Sequence, residues 1–497
     1  MDTILHIGKV ILLIFAVLMV FNLMIIVHEW GHFLAARWRG LKIEKFQIWF
    51  GKPLWKKTIN GVQYGLGSIP AGGFVALPQM APMDMLEGHT DESGEKLPRI
   101  TPMDKIIVAI AGPLFSLLLA LFFAVIVYFV GKPVDSISAT NKIGWAYHGS
   151  AAAEAGFLPG DEVISVDGQK VSGFFGPVDT ITERVVHSRG DKIEFVVMRD
   201  GKETKISTGY KIPETSGLER AGFRQIGIAP YAPTLIAKVF ENSPAALAGL
   251  KEGDKILSID GVEVLAPGAV SDIVKASDGK VLRVSVERSE AGKDEEAKLV
   301  TKTYEITPVQ VERPQVAEDE DKMMWSVGII PYGDKTWSTM RPGPLQQVSD
   351  GAKVIARTLG SLFSPKSDVG ASHLSGPVGI GNIYYRLLEN PERGLQMALW
   401  FSVLLNVNLA MLNMLPFPVL DGGHITMAIM EGIRRKPLNF RALEYIQAAC
   451  ALLLLGFMAY VTIFDSRDAF GGDGSGDFKE PVYEVPADAT NREIPGN

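Results

Sequence analysis

Four stretches of this chain are apolar for long enough to cross a bilayer, at roughly 10–35, 106–130, 396–416 and 442–464. Each predicts a transmembrane helix, the third interrupted by Asn406, Asn408 and Asn413. The first run is too long for a signal peptide and lacks a basic leading segment, so it reads as a retained span. Between the first two spans the pattern changes period. Residues 43–50 (IEKFQIWF) and 62–69 (VQYGLGSI) are rich in β-formers, and Asn60-Gly61 between them is a hairpin-turn dipeptide. After Asp465 the chain becomes acidic and Gly-rich, the composition of a disordered tail.

The long segment between spans two and three, 131–395, contains one pattern twice. Residues 149–168 read GSAAAEAGFLPGDEVISVDG and 242–261 read NSPAALAGLKEGDKILSIDG. At one constant offset Gly156 matches Gly249, Gly160-Asp161 matches Gly253-Asp254, and Asp167-Gly168 matches Asp260-Gly261. Each copy runs on to a G-I-x-P-Y segment, at Gly227–Tyr231 and Gly328–Tyr332. Repetition at this length predicts two copies of one small domain, each with a short helix, a Gly-Asp turn, a strand and an Asp-Gly turn.

Charge orients the spans. Arg37, Arg39, Lys42, Lys45, Lys52, Lys56 and Lys57 follow the first span against a single Glu44, and Arg434, Arg435, Lys436 and Arg441 lie between the third and fourth. By the positive-inside rule both loops are cytoplasmic, which places both termini and the 131–395 segment on the far side. The 497 residues are 47% hydrophobic and carry a net charge of −7, so the lipid bilayer is an expected partner and nucleic acid is not. The one cysteine, Cys450, lies in the fourth span and reads as a packing residue.

Chemistry enters at the end of the first span, with His28-Glu29-Trp30-Gly31-His32. HExxH on a helix sets two imidazoles one turn apart on one face, suited to Zn²⁺, with the Glu placed as general base. Ionisable groups within a span are costly unless paired or ligating, so they mark function by default. About 18 residues into the span, at ~1.5 Å per residue, the motif falls toward the cytoplasmic side of a ~30 Å hydrocarbon core. A third ligand is needed. Asn413-Met414-Leu415-Pro416-Phe417-Pro418-Val419-Leu420-Asp421-Gly422-Gly423-His424 offers Asp421, flanked by helix-breaking prolines and turn-permitting glycines, with His424 as its competitor. His6, His89, His148, His187 and His373 sit in unrelated contexts and read as surface or packing residues.

HEWGH in a first membrane helix, followed far downstream by NMLPFPVLDGG, resembles the site-2 protease family of intramembrane zinc metalloproteases. The paired repeats resemble PDZ domains and narrow the likeness to the bacterial branch of the regulator-of-sigma-E protease type. Ser375-Gly376-Pro377-Val378-Gly379 also matches a motif that family carries before its third span, and Ala111-Gly112-Pro113 fits close helix packing in the second. The resemblance implies a polytopic α-helical membrane protein with four transmembrane helices, a membrane-associated β-hairpin and two extracytoplasmic PDZ-like α+β domains. It implies one zinc per chain on His28, His32 and Asp421, with Glu29 activating the water. It implies that Asn413 holds the substrate or the active-site backbone, that Pro416 and Pro418 also bind substrate, and that a hairpin edge around Gly65, Leu66 and Gly67 pairs with an unwound substrate.

The expected division runs 1–37 (first span), 38–105 (cytoplasmic loop and hairpin), 106–130 (second span), 131–231 and 232–335 (the PDZ-like repeats) and 336–395 (connection). It continues with 396–424 (third span and LDGG turn), 425–464 (basic loop and fourth span) and 465–497 (tail). Implied substrates are single-span proteins already cut by another protease, such as anti-sigma factors and signal-peptide remnants, in a bacterial inner membrane. The PDZ pair is expected to filter substrates by size and to bind peptides or C-termini, with rigid spacers as the plainer alternative. The competing functions are a non-catalytic PDZ scaffold with a vestigial metal site and a divalent-metal transporter, against which the intact motif and the PDZ pair both weigh.

Overall fold

Helix α1 (Asp2–Trp38) opens the chain, and its run of Ile, Leu, Val and Phe ends where Gly40 turns left-handed at φ 73°. The computed structural model describes residues 2–80, 100–215, 219–290, 298–312, 323–434 and 440–470, so most of the polar 84–101 stretch and the tail beyond 470 lie outside the described residues. Strands β1 (Lys45–Phe50), β2 (Trp55–Ile59), β3 (Val62–Leu66) and β4 (Ile69–Ala76) follow. The expected hairpin of 43–50 with 62–69 takes another form. Asn60-Gly61 closes β2 onto β3, while β1 lies parallel to β3 and antiparallel to β4, in the order β2-β3-β1-β4. A two-residue turn joins only the strands that directly flank it, and WKKTI at 55–59 is the flanking strand.

Helix α2 (Pro102–Val130) starts in a reciprocal capping box. Thr101 Oγ1 accepts from the Asp104 amide at 3.2 Å and the Asp104 carboxylate accepts from the Thr101 amide at 2.9 Å. Asp104 also accepts from Arg39, just past α1, at 2.7 Å, which ties the ends of α1 and α2 together. Farther along, the two helices cross closely. A Cβ on Gly31 would lie 2.4 Å from the Ala111 carbonyl oxygen, so only glycine allows this approach.

The chain forms two compact units, and the second covers 134–338 with 360–373. Its first repeat contains β5 (Ile143–Ala146), β6 (Glu162–Val166), α3 (Ile181–His187), β7 (Ile193–Arg199), β8 (Lys202–Thr208) and β9 (Ile228–Pro230). Its second contains β10 (Thr234–Val239), β11 (Lys255–Ile259), α4 (Pro267–Ala276), β12 (Leu282–Glu290), β13 (Lys298–Ile306) and β14 (Ile329–Gly333). Sheets run β8-β7-β6 with a separate β5-β9 pair in the first, and β13-β12-β11-β10-β14 in the second. Both are PDZ-like α+β folds.

The repeated Gly-Asp turns have a shared physical cause. Asp161 and Asp254 are buried, each caps its turn through a backbone amide at 2.9 Å, and each binds an arginine, Arg199 at 2.6 Å and Arg288 at 2.7 Å. The same arginines donate to the Gly156 and Gly249 carbonyls at 2.8 and 2.9 Å. Removing Arg288 leaves Asp254 charged and buried without its partner, a loss of about 3–5 kcal/mol. Arg288→Ala should therefore lower the unfolding midpoint of the second repeat in thermal melts followed by limited proteolysis, and leave the first repeat intact. The copies are also welded together. Trp145 on β5 is buried in the core of the second repeat, and its indole donates to Asp272 on α4 at 2.7 Å.

The first unit resumes with α5 (Pro344–Leu362), α6 (Pro377–Glu389), α7 (Gly394–Asn413), α8 (Asp421–Arg434) and α9 (Phe440–Phe470). Among the described residues, four helices are long and apolar enough to span a membrane, over Gly8–Trp38, Pro102–Val130, Gly394–Asn413 and Leu443–Ala469. Val17, Leu119, Phe123, Tyr384, Val403 and Val407 form the core between α1, α2, α6 and α7, while Phe122, Phe129, Leu452 and Leu453 stay exposed, as lipid-facing residues do. The fourth helix outlasts the expected start of the tail at 465. Asp465 is buried on α9 and accepts from the Gly376 and Gly379 amides, both at 2.9 Å. Those amides open α6, whose N-cap residue is a glycine without a side chain to satisfy them.

Candidate metal centre

The four-residue spacing on α1 brings the two imidazoles of HExxH together, with their Nε2 atoms 3.3 Å apart. Asp421, the first residue of α8, completes the set: its Oδ2 lies 3.2 Å from His28 Nε2 and its Oδ1 3.3 Å from His32 Nε2. All three are buried. Bonds of ~2.05 Å arranged tetrahedrally place neighbouring ligand atoms roughly 3.3 Å apart, so two imidazoles and a carboxylate at these spacings fit Zn²⁺. His424 sits in the first turn of α8, buried, and its ring nitrogens do not join this donor cluster.

Helix α2 holds both rings from behind. His32 Nδ1 is 2.8 Å from the Val108 carbonyl oxygen and His28 Nδ1 is 3.0 Å from Ser116 Oγ. An Nδ1–H donated to each oxygen leaves the Nε2 lone pair facing Asp421, the tautomer a metal requires. Val108, Gly112 and Ser116 are spaced by four and share one face of α2. Between the two hydrogen-bonding positions a Cβ on Gly112 would lie 2.2 Å from His32 Nε2 and 2.8 Å from His28 Nε2. The two imidazoles occupy the space where a side chain would be.

Asp421 is aimed by the seven residues before it. The chain leaves α7 at Asn413, folds back, and enters α8 with its glycines pressed on the turn. A Cβ on Gly422 would lie 2.2 Å from the Met414 oxygen, and one on Gly423 would lie 2.1 Å from the Phe417 oxygen. The glycines of LDGG are thus required by close backbone approach.

A cavity of about 190 Å³ adjoins the donor atoms, lined by Ile25, His28, Glu29, His32, Leu409, Asn413, Val419, Leu420 and Asp421. Glu29 and Asn413 therefore face the same space. Pro416 and Pro418 do not line it; Val419 and Leu420 represent that turn, and the Pro418 carbonyl instead accepts from Gln447 on α9 at 3.2 Å. Gly65 and Leu66 lie in β3 and Gly67 just after it, an interior strand of the sheet. The strand that reaches the site is β4: a Cβ on Gly73 would lie 3.6 Å from Glu29 Cγ and 3.6 Å from Ile25. β1 separates β3 from β4, which has no second strand partner among the described residues. The Gly72-Gly73 pair was visible in the sequence but carried no sign of its strand's place, and Ser116 was hidden in an apolar span.

Against known proteins, the model of peptidase family M50 matches residues 16–457. A putative zinc metalloprotease of Neisseria meningitidis is 31% identical over 472 residues, covering 91% of this chain and 97% of that protein. The regulator of sigma E protease of Haemophilus influenzae is 27% identical over 88% of this chain and 94% of its own length. The corresponding Escherichia coli protein is 28% identical over 89% and 96%.

Proposed function

This chain belongs to peptidase family M50, and from that premise we propose how its residues carry out proteolysis within the membrane. It is an intramembrane zinc metalloprotease acting on membrane proteins. The observation that carries the reading is the closure of His28, His32 and Asp421 into one donor cluster, with Glu29 on the wall of the adjoining cavity.

His28, His32 and Asp421 would hold one zinc per chain, which would supply Lewis-acid polarisation of the scissile carbonyl and acidify the attacking water. Glu29 takes the proton of the attacking water and passes it to the leaving amine. Asn413, whose amide can both donate and accept, holds the substrate backbone beside the bond to be cut. A peptide bond in a helix is protected by its own backbone hydrogen bonds, so the substrate must unwind first; the free edge of β4 replaces the lost bonds.

The basic loops support an orientation with the catalytic end of α1 toward the cytoplasm and both termini and the PDZ-like repeats, 131–231 and 232–335, on the opposite side of a bacterial inner membrane. The repeats act there as a gate that admits substrates with trimmed ectodomains. Substrates of this class include single-span anti-sigma factors and signal-peptide remnants, in keeping with the names of the Haemophilus influenzae and Escherichia coli relatives.

Protein purified in detergent should contain zinc at one equivalent by elemental analysis. It should cut a single-span test peptide inside its apolar segment, lose that activity to a chelator and regain it with added Zn²⁺. Zinc-loaded protein that binds the peptide without cutting it would reduce the chain to a scaffold.

A further inference from the structure

Trp49 is a bulky aromatic residue in the left-handed region, at φ 68°. Only Asn and Asp share a positive φ with it among the described non-glycine residues. A backbone held there by so large a side chain persists only where its surroundings over-determine it, and such sites concentrate near function. Here the surroundings are built. Gln47, itself buried, donates its side-chain amide to the Trp49 and Gly51 carbonyls at 3.0 and 3.1 Å. Gly67 comes so close beneath that a Cβ would lie 2.5 Å from the Trp49 oxygen.

The indole Nε1 then donates to Asn22 Oδ1 on α1, while the Asn22 amide donates to the Leu18 carbonyl at 2.7 Å. Asn22 is 5% exposed within an apolar span, where an unpaired amide would be costly. Trp49 satisfies the acceptor that the helix itself leaves open.

The place of this contact gives it a consequence. On α1, Asn22, Ile25 and Glu29 follow one another at helical spacing on one face. β4 lies on that face through Gly73, beside Ile25 and Glu29. Trp49 sits where the β1–β4 register breaks, between the pairs Ile48–Gly73 and Phe50–Ile69. Across the break, Phe50 packs on Gly72, where a Cβ would lie 1.9 Å from its ring. The sheet therefore meets the catalytic helix through Phe46 and Tyr64 on Trp30 and Phe33, at Gly73 beside Glu29, and through Trp49 two turns earlier at Asn22.

We propose that the Trp49–Asn22 contact is a positioning device that fixes the height of edge strand β4 along α1 and so sets which substrate bond lies beside Glu29. The proposal rests on the protease reading and on β4 as the substrate edge. Trp49 does not line the cavity beside the donor atoms; it acts through β4.

Trp49→Phe and Asn22→Leu remove the hydrogen bond while keeping bulk, and Leu suits an apolar span. Cleavage of one single-span peptide should be followed in detergent, with products mapped by mass spectrometry and bound zinc measured. Each variant should retain wild-type zinc, raise KM several-fold with kcat within about twofold, and spread cleavage over neighbouring bonds. The double variant should be no worse than either single one. Amide exchange over 69–76 should rise several-fold in both variants while exchange over 62–66 stays unchanged, a readout that needs no substrate. A wild-type cleavage pattern with unaltered KM would overturn the proposal, and so would unaltered exchange in β4. Loss of zinc or a uniform fall in kcat would make Trp49 a structural residue only. If wild-type protein binds zinc and cuts nothing, the protease reading fails, and exchange still decides whether the anchor exists.

Discussion

Glu29→Gln should leave zinc in place and lower turnover of a single-span peptide by about 10²–10⁴-fold, the range general acid–base catalysis contributes. Gln has the shape of Glu and keeps its place beside Gly73, but it cannot take a proton. Glu29 lies outside the donor cluster of His28, His32 and Asp421, so metal content should not change. KM should stay within about twofold, because the lost interaction is made only as the reaction proceeds. Elemental analysis alongside kcat and KM checks all three. Retained turnover with full zinc would remove Glu29 from the mechanism.

Gly112→Ala should have the opposite signature. A Cβ at that position would lie 2.2 Å from His32 Nε2, 2.6 Å from His32 Cε1 and 2.8 Å from His28 Nε2. No real Cβ tolerates such contacts, and the backbone of α2 is held by its crossing with α1 at Gly31 and Ala111. The imidazoles must move, and they are also the groups that Val108 and Ser116 orient. Loss of an orienting partner alone costs about 10–100-fold in metal affinity; displacement of both rings should exceed that. Zinc titration of chelated protein should show affinity reduced more than ~100-fold, with helix content unchanged by circular dichroism. Full zinc affinity in Gly112→Ala would mean that α2 can yield at this crossing.

The parts of this site that were legible in the sequence are those set by local spacing. HExxH needs only a helix, and the apolar run before it supplies one. Asp421 was legible because prolines and glycines around a lone acid announce a turn. Strand order was not: β1 and β3 are parallel through a pairing that no dipeptide signals, so nothing in the sequence shows that the strand of Gly65 and Leu66 is interior and that β4 ends the described sheet. The arginines that complete the repeats were missed for a related reason. Arg199 and Arg288 lie on strands well beyond the 20-residue repeat window and reach back to Asp161 and Asp254 across the sheet. Asp465 was read by composition as tail, whereas its burial depends on the unsatisfied amides of a helix almost ninety residues earlier.

The donor set joins the two ends of the chain in time as well as in space. His28 and His32 are made before Asp421, which follows about 390 residues later. At about 5–20 residues per second of synthesis, roughly 20–80 s pass before the third donor exists. Until then Glu29 and the two imidazoles are in place without the third donor, so the metal group closes only late in synthesis.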